Sequence, residues 1–208
     1  REDLIMKKLL IAALGLCALP LASAAQAVTA EQVIETYADI ALATYSDALD
    51  TATALEQAID HLVESPDAAA LETAKAAWRL ARVSYQQSEA YRFGNTIVDD
   101  WEGRVNAWPL DEGLIDYVDA SYSGVDNENA YRGANIVANT ELIFGGDTID
   151  VSTIDANLIQ SLHEIDEIEA NVTTGYHAIE FLLWGQDLNG TGPGAGARAW
   201  TDFSTTSC

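Results

Sequence analysis

The sequence predicts an all-α protein, built as an antiparallel helical bundle. Three observations support this fold class: apolar residues recur at spacings of three and four over long stretches, alanine is abundant in them, and no alternating strand pattern is visible. We expect residues 28–208 to form one helical domain, with residues 1–27 preceding it.

Residues 1–27 have the pattern of an export signal. Residues 1–5 precede Met6, which opens a short basic segment, an apolar run ending at Leu21, and a stretch of small residues up to Ala27. This order is typical of a secretory signal peptide, and the apolar run is too short to cross a bilayer. We expect cleavage after Ala27, or as second choice after Ala25, and no membrane span in the mature chain.

The first two helices have clear boundaries in the sequence. Thr29 and Gln32 form a capping-box pattern that opens the first helix. Ser65 and Pro66 end it, and we expect them to be the N-cap and first residue of a second helix running towards Gly94. The expected buried stripe of the second helix is Leu71, Ala74, Trp78, Ala81 and Tyr85.

The rest of the chain has weaker signals. Residues 95–113 are expected to be an ordered loop or short helical turns, and residues 135–144 are either helical or extended. Further helices are predicted over residues 112–122, 151–168 and 170–184, the last with Gly185 as its C-cap, followed by a flexible loop over residues 190–196.

The charge balance narrows the possible partners. The chain has 33 acidic and 10 basic residues, giving a net charge of −23. Such a charge argues against nucleic acids and anionic membranes as partners, and it favours attraction of cations.

The segment from Gly175 to Gly185 has the strongest functional pattern. His177 and Glu180 are three residues apart among apolar neighbours, so both point to one side of the predicted helix. His61 and His163 also have an acid three residues later, but both lie among polar residues, where we expect solvated faces. His177 and Glu180 are therefore either two ligands of a cation or a buried pair that satisfies itself.

Two established metal motifs can be excluded. A zincin needs a second histidine where this chain has Glu167, and a ferritin-like site needs Glu-x-x-His, which none of the three histidines provides. What remains is a mixed imidazole and carboxylate site, suited to iron, manganese or zinc.

Two further acids are candidate ligands. Glu89 lies on the second helix near Arg92, and Asp111 follows Trp108 and Pro109. The alternatives are a surface ion pair between Glu89 and Arg92, and a helix N-cap at Asp111.

Three blocks of this sequence resemble the imelysin family, the group of iron-regulated protein A. The first is the Gly-x-His-x-x-Glu signature at Gly175 to Glu180. The other two run from Trp78 to Phe93 and from Val105 to Glu112, in the family's order.

This resemblance implies an all-helical periplasmic protein that takes part in bacterial iron uptake. It implies His177 and Glu180 as metal ligands and Glu89 and Asp111 as candidate ligands of iron, or of another divalent cation such as zinc. Arg92 and Trp108 would shape the pocket. The implied partners are other components of a periplasmic or outer-membrane iron uptake system.

Members of the family are typically longer, and Cys208 would be an unpaired cysteine in an exported protein. We therefore expect this chain to be the N-terminal part of a longer one. The resemblance also implies a metallopeptidase as an alternative to an iron-binding protein. A third alternative, a helical interaction protein without metal, holds if His177 and Glu180 only satisfy each other.

Overall fold

A computed structural model describes residues 27–122, 129–144 and 146–206 of the chain. The predicted signal peptide, apart from Ala27, and Cys208 lie outside the described residues. Contacts divide the chain into two units, residues 1–38 and residues 39–208. The core and the candidate site both belong to the second unit.

The predicted all-α class is confirmed. The described residues form six α-helices and one small antiparallel hairpin. The helices are α1 (Ala30–Glu64), α2 (Ala68–Gln87), α3 (Thr96–Val105), α4 (Glu112–Ile115), α5 (Ala156–Leu162) and α6 (Gly175–Trp184), and the strands are β1 (Glu141–Phe144) and β2 (Asp147–Asp150). None of the described helices combines the length and the apolar character that crossing a membrane requires.

The first helix begins as predicted and the second does not. The Thr29 amide donates to Gln32 Oε1 at 3.0 Å and the Gln32 amide to Thr29 Oγ1 at 3.2 Å, which is a capping box. Helix α2 has Asp67 as its N-cap instead of Ser65, because the Asp67 carboxylate accepts a hydrogen bond from the Ala70 amide at 2.7 Å. A charged acceptor suits the positive end of the helix.

Helices α1 and α2 pack as an antiparallel hairpin. Leu62 near the end of α1 clusters with Leu71 near the start of α2, and Leu55 clusters with Ala81 further along both helices. The apolar stripe of α1 is buried only in its second half, since Ile40 is 52% exposed.

Helix α6 contributes buried residues to three of the four core clusters found among the described residues. Leu183 packs into the cluster of α1 and α2, and Tyr176 packs against Leu55 and Ala81. Ala178 and Phe181 pack against Ile115 of α4. These contacts cover two sides of α6 and leave His177 and Glu180 on a third.

The segment after residue 128 differs from its prediction at the hairpin, at α5 and at the start of α6, which begins at Gly175 instead of residue 170. Strands β1 and β2 form a hairpin, so the extended alternative holds for the end of residues 135–144, whereas no strand was expected at Asp147–Asp150. Leu142 of β1 enters a core cluster with Val151 and Leu162. The helix predicted over residues 151–168 covers only Ala156–Leu162. It ends where Glu164, Asp166 and Glu167 adopt positive φ angles, which are incompatible with a continuing right-handed helix.

Candidate metal centre

His177 and Glu180 are brought together by one turn of α6. Their side chains lie 3.0 Å apart, measured from Nδ1 to Oε2, so the imidazole Nδ1–H donates to the carboxylate. The imidazole is 17% exposed and the carboxylate 42% exposed. This hydrogen bond leaves His177 Nε2 as the ring nitrogen with a lone pair available to a ligand.

Both side chains line an open cleft of about 630 Å³. One wall is α6 itself, and the facing wall comes from the segment that follows α3. The Trp108 ring lies against the imidazole, with 5.0 Å between the ring centroids. The lining residues are Asn106, Trp108, Leu110, Glu112, His177, Glu180, Phe181, Trp184, Gly185, Asp187, Gly194, Ala195 and Gly196.

Two further carboxylates, Glu112 and Asp187, share this cleft with Glu180. Burial raises the pKa of Glu112 above its ordinary value, and the negative charges of Asp187 and Glu180 raise it further. Glu112 is therefore close enough to be repelled by both other acids, and a cation would relieve that repulsion.

The third wall is the glycine-rich loop after α6, for which the sequence predicted only flexibility. Gly185 ends α6 with a φ of 72°, and the Arg198 amide then donates to Trp184 O at 2.9 Å. Gly196 lies so close that an added Cβ would stand 2.3 Å from Gly185 O. The loop is thus held backbone to backbone against the end of α6, where it forms a side of the cleft.

Asn106 is held in place by two neighbouring charges. Its Oδ1 accepts a hydrogen bond from Arg82 Nη1, and its Nδ2 donates to Glu102 Oε1 at 3.0 Å. The guanidinium of Arg82 also lies 5.3 Å from the Tyr176 ring centroid. This network ties the end of α3, and with it the Trp108 segment, to α2.

Glu89 and Arg92 do not reach this cleft. They line a separate, mostly apolar pocket of about 260 Å³ beside Tyr85 and Trp101. Arg92 lies 4.0 Å from Glu89 and 3.0 Å from both Asp99 and Glu102, so it is the centre of an ion-pair group. The structure therefore agrees with the surface-pair alternative for Glu89, and it places Arg92 away from His177.

Asp111 does not line the cleft around His177 either. It occupies the N-cap position of α4, but its carboxylate accepts hydrogen bonds from the Tyr122 hydroxyl at 3.0 Å and from Asn129 Nδ2. Burial, followed by the charge of Asp111, raises the pKa of Tyr122 to about 12. These contacts tie Asp111 to the segment that follows α4. Of the candidates named from the sequence, the cleft contains only His177, Glu180 and Trp108.

Neither of the two acids that share the cleft with His177 was chosen as a metal ligand from the sequence. Glu112 stands next to Asp111, and Asp187 follows the end of α6. Both lie in or beside the blocks that carry the family resemblance, and that is the only sequence signal that could have found them.

No three His, Cys, Asp or Glu side chains in the described ranges stand close enough together to hold one metal ion. The arrangement therefore fits a cation that takes one or two donors from His177 and Glu180. Glu112 and Asp187 would act through water or after rotating.

The fold and the cleft define an all-α protein with an imidazole and carboxylates facing a partly apolar cavity. The imelysin family model matches residues 41–208, so this chain belongs to the imelysin family. The chain is also 36% identical, over 87 residues, to iron-regulated protein A of Synechococcus elongatus. That match covers 41% of this chain and 24% of the relative's length.

Proposed function

We propose that this protein binds iron in the cleft around His177 and acts as a periplasmic component of bacterial iron uptake. The proposal depends on one observation: the His177–Glu180 pair is held at 3.0 Å inside a cleft that it shares with Glu112 and Asp187. The name of the Synechococcus relative, iron-regulated protein A, supports iron over other cations. In this reading iron is the cargo of the protein.

The donors suit such a cargo. Imidazole nitrogen and carboxylate oxygen together are typical ligands of iron, manganese and zinc. In many metal sites the ligating histidine donates its other ring N–H to a carboxylate, which fixes the ring orientation. The bond from His177 Nδ1 to Glu180 has this form and turns Nε2 into the donor atom.

The electrostatic setting favours a cation. Three carboxylates line the cleft, and the whole chain carries a net charge of −23. The cleft also includes Trp184 and Gly185 at the carboxyl end of α6, where the helix dipole is negative. A mobile cation is therefore concentrated near His177 before it binds.

The signal-peptide pattern in residues 6–27 supports the proposed periplasmic location, and the proposed partners are other components of the uptake system. A metallopeptidase is less well supported. Peptide hydrolysis by a metal typically needs three protein ligands, a bound water and a base. In the described ranges no three metal-ligating side chains converge.

The test is cation binding by matched histidine variants. His61 and Glu64 have the same spacing as His177 and Glu180, but both are exposed on α1. We expect the protein to bind Fe(II) under anaerobic calorimetry, and we expect His177→Ala to abolish that binding. Glu180→Ala should weaken binding on the order of 10- to 100-fold. His61→Ala and Glu64→Ala should leave it unchanged.

Three results would count against the proposal. Absence of iron binding by the folded wild-type protein would favour the interaction protein without metal. An equal loss in the His61→Ala variant would show nonspecific binding to the acidic surface. Metal-dependent cleavage of unfolded casein that disappears with His177→Ala would favour the peptidase. Circular dichroism of each variant shows whether α-helix content is retained.

A further inference from the structure

The cleft is much larger than a bare ion requires. Its volume is about 630 Å³, whereas one water molecule takes up about 30 Å³ in the liquid. Pockets for small organic ligands span about 300 to 1,000 Å³. The space beside His177 therefore has the size of an organic molecule.

The walls of the cleft are suited to such a molecule. Trp108, Leu110, Phe181 and Trp184 face it, and Trp108 is 68% exposed although its ring lies against His177. A large aromatic face beside a metal donor adds nothing to the binding of an aqueous ion. It does offer a packing surface to the organic part of a ligand.

The number of metal-ligating atoms also favours an organic molecule in the cleft. The pair at His177 provides two donor atoms at most, and the part of the chain that the structure describes has no group of three ligands. Iron and similar cations take four to six ligands, so most of the coordination shell must come from something other than this pair. A chelator would supply those atoms and fill the apolar space.

The charge of the cleft limits which chelator fits. Glu112, Glu180 and Asp187 all line the cavity, so its walls already carry several negative charges. A chelate with net negative charge would be repelled by these charges. A neutral or cationic chelate would not.

Building on the proposed function, we propose that the cleft takes iron as a small organic chelate that has no net negative charge and at least one coordination position filled by water. His177 Nε2 occupies that position after a bound water leaves, and Trp108 packs against the chelator. The chelator enters the cleft with the iron and is retained with it.

The test uses the bis-acetohydroxamate complex of Fe(III), which has a single positive charge and two water-occupied positions. The protein is mixed with this complex and separated by gel filtration, and bound iron and bound hydroxamate are measured separately. We expect both to be retained at a ratio of at least one hydroxamate per iron. Ferric citrate, an anionic chelate, should bind much more weakly.

Two tryptophan variants provide the matched comparison. Trp108 is 68% exposed and lines the cleft, whereas Trp101 is 63% exposed and lines the separate pocket beside Arg92. Trp108→Ala should weaken binding of the hydroxamate complex about tenfold and binding of aqueous Fe(II) less than about twofold. Trp101→Ala should change neither.

The outcomes separate this inference from the proposed function. Iron retained without hydroxamate, or equal effects of Trp108→Ala on the complex and on aqueous Fe(II), would leave a bare-ion site and overturn the chelate. Ferric citrate binding as tightly as the hydroxamate complex would overturn the charge selection. If the wild-type protein retains no iron in any form, the proposed function fails as well.

Discussion

His177 differs from the other two histidines in what surrounds it. His61 is exposed on α1. His163 is only 8% exposed, with Nε2 donating to Gly103 O at 2.9 Å and Nδ1 accepting from the Thr173 amide at 3.4 Å. Both ring nitrogens of His163 therefore have hydrogen-bond partners within the fold, whereas Nε2 of His177 is left available to a ligand.

The sequence distinguished His177 from the other histidines by its apolar neighbours, but the solvent-exposed position that it predicted for His163 was wrong. The acidic residues after His163 predicted a solvent-exposed face, and those acids are indeed mostly exposed. The imidazole turns the other way and bonds to the carbonyl of Gly103, a residue 60 positions earlier. A contact between residues so far apart in the chain cannot be recognised from the residues around His163.

A substitution at Glu112 tests whether the carboxylates of the cleft destabilise the folded protein. Its raised folded-state pKa means that the folded protein holds the proton more tightly than the unfolded chain, so stability falls as pH rises through that range. Glu112→Gln removes the charge, and we expect it to raise the melting temperature at pH 7. The gain should shrink as the pH falls towards the ordinary value of 4.5, where the wild-type group is protonated too.

Thermal melts of both proteins between pH 4 and pH 8 check this expectation. The same variant should bind iron more weakly at pH 7, because one attracting charge is gone. A melting temperature that is lower than that of the wild type at neutral pH would show that Glu112 has a stabilising partner instead.

Among the elements, α6 is defined by the glycines at its two ends. Gly175 has a φ of 86°, and a Cβ added there would stand 2.4 Å from Val105 O. Gly185 ends the helix with a φ of 72°. Glycine tolerates these backbone angles, so the sequence could predict where the helix stops. The close contact of Gly175 with α3 could not be predicted, because it depends on packing.

The other element boundaries were predicted less well for related reasons. The predicted helix over residues 151–168 ended early, because three acidic residues after α5 take left-handed conformations that only the surrounding loops impose. The hairpin of β1 and β2 places Leu142 in a core cluster with residues distant in the chain. Short strands of this kind depend on tertiary context more than on intrinsic preference.

Gly175→Ala tests the contact between α6 and α3. The added Cβ meets backbone atoms of α3 and is strained at a positive φ, so we expect a loss of about 2 to 4 kcal/mol in the free energy of unfolding. Gly103→Ala, in the interior of α3 with nothing within 4 Å of the added Cβ, is the control. It should stabilise by about 0.5 to 1 kcal/mol. Urea denaturation measures both free energies of unfolding. If the two substitutions changed stability in the same direction, the close contact between α6 and α3 would be contradicted.

For the whole second unit, the ion pair between Arg198 and Asp116 connects distant parts of the chain. Arg198 Nη1 donates to Asp116 Oδ2 at 2.6 Å, and the two side chains are 3% and 9% exposed. The guanidinium also lies 4.9 Å from the Tyr117 ring centroid and 5.5 Å from that of Phe181. The pair therefore holds the end of the glycine-rich loop against α4 and α6.

Arg198→Ala leaves the Asp116 carboxylate buried without its cation. We expect a loss of about 3 to 5 kcal/mol in the free energy of unfolding. Arg104→Ala removes an exposed arginine and should change stability by no more than about 0.5 kcal/mol. Urea denaturation at low and high salt checks both, since a buried pair is screened only weakly. A loss that disappears in salt would show the pair to be a surface interaction.

The sequence alone determined the all-α class, the capping box of α1, the end of α6 and the pairing of His177 with Glu180. Each of these is encoded within a few residues by helical spacing, capping chemistry or glycine. The tertiary structure decided which other acids share the cleft: Glu112 and Asp187 face it, whereas Glu89 and Asp111 bond elsewhere. Their positions depend on how the loops fold back onto α6, through contacts between residues far apart in the chain.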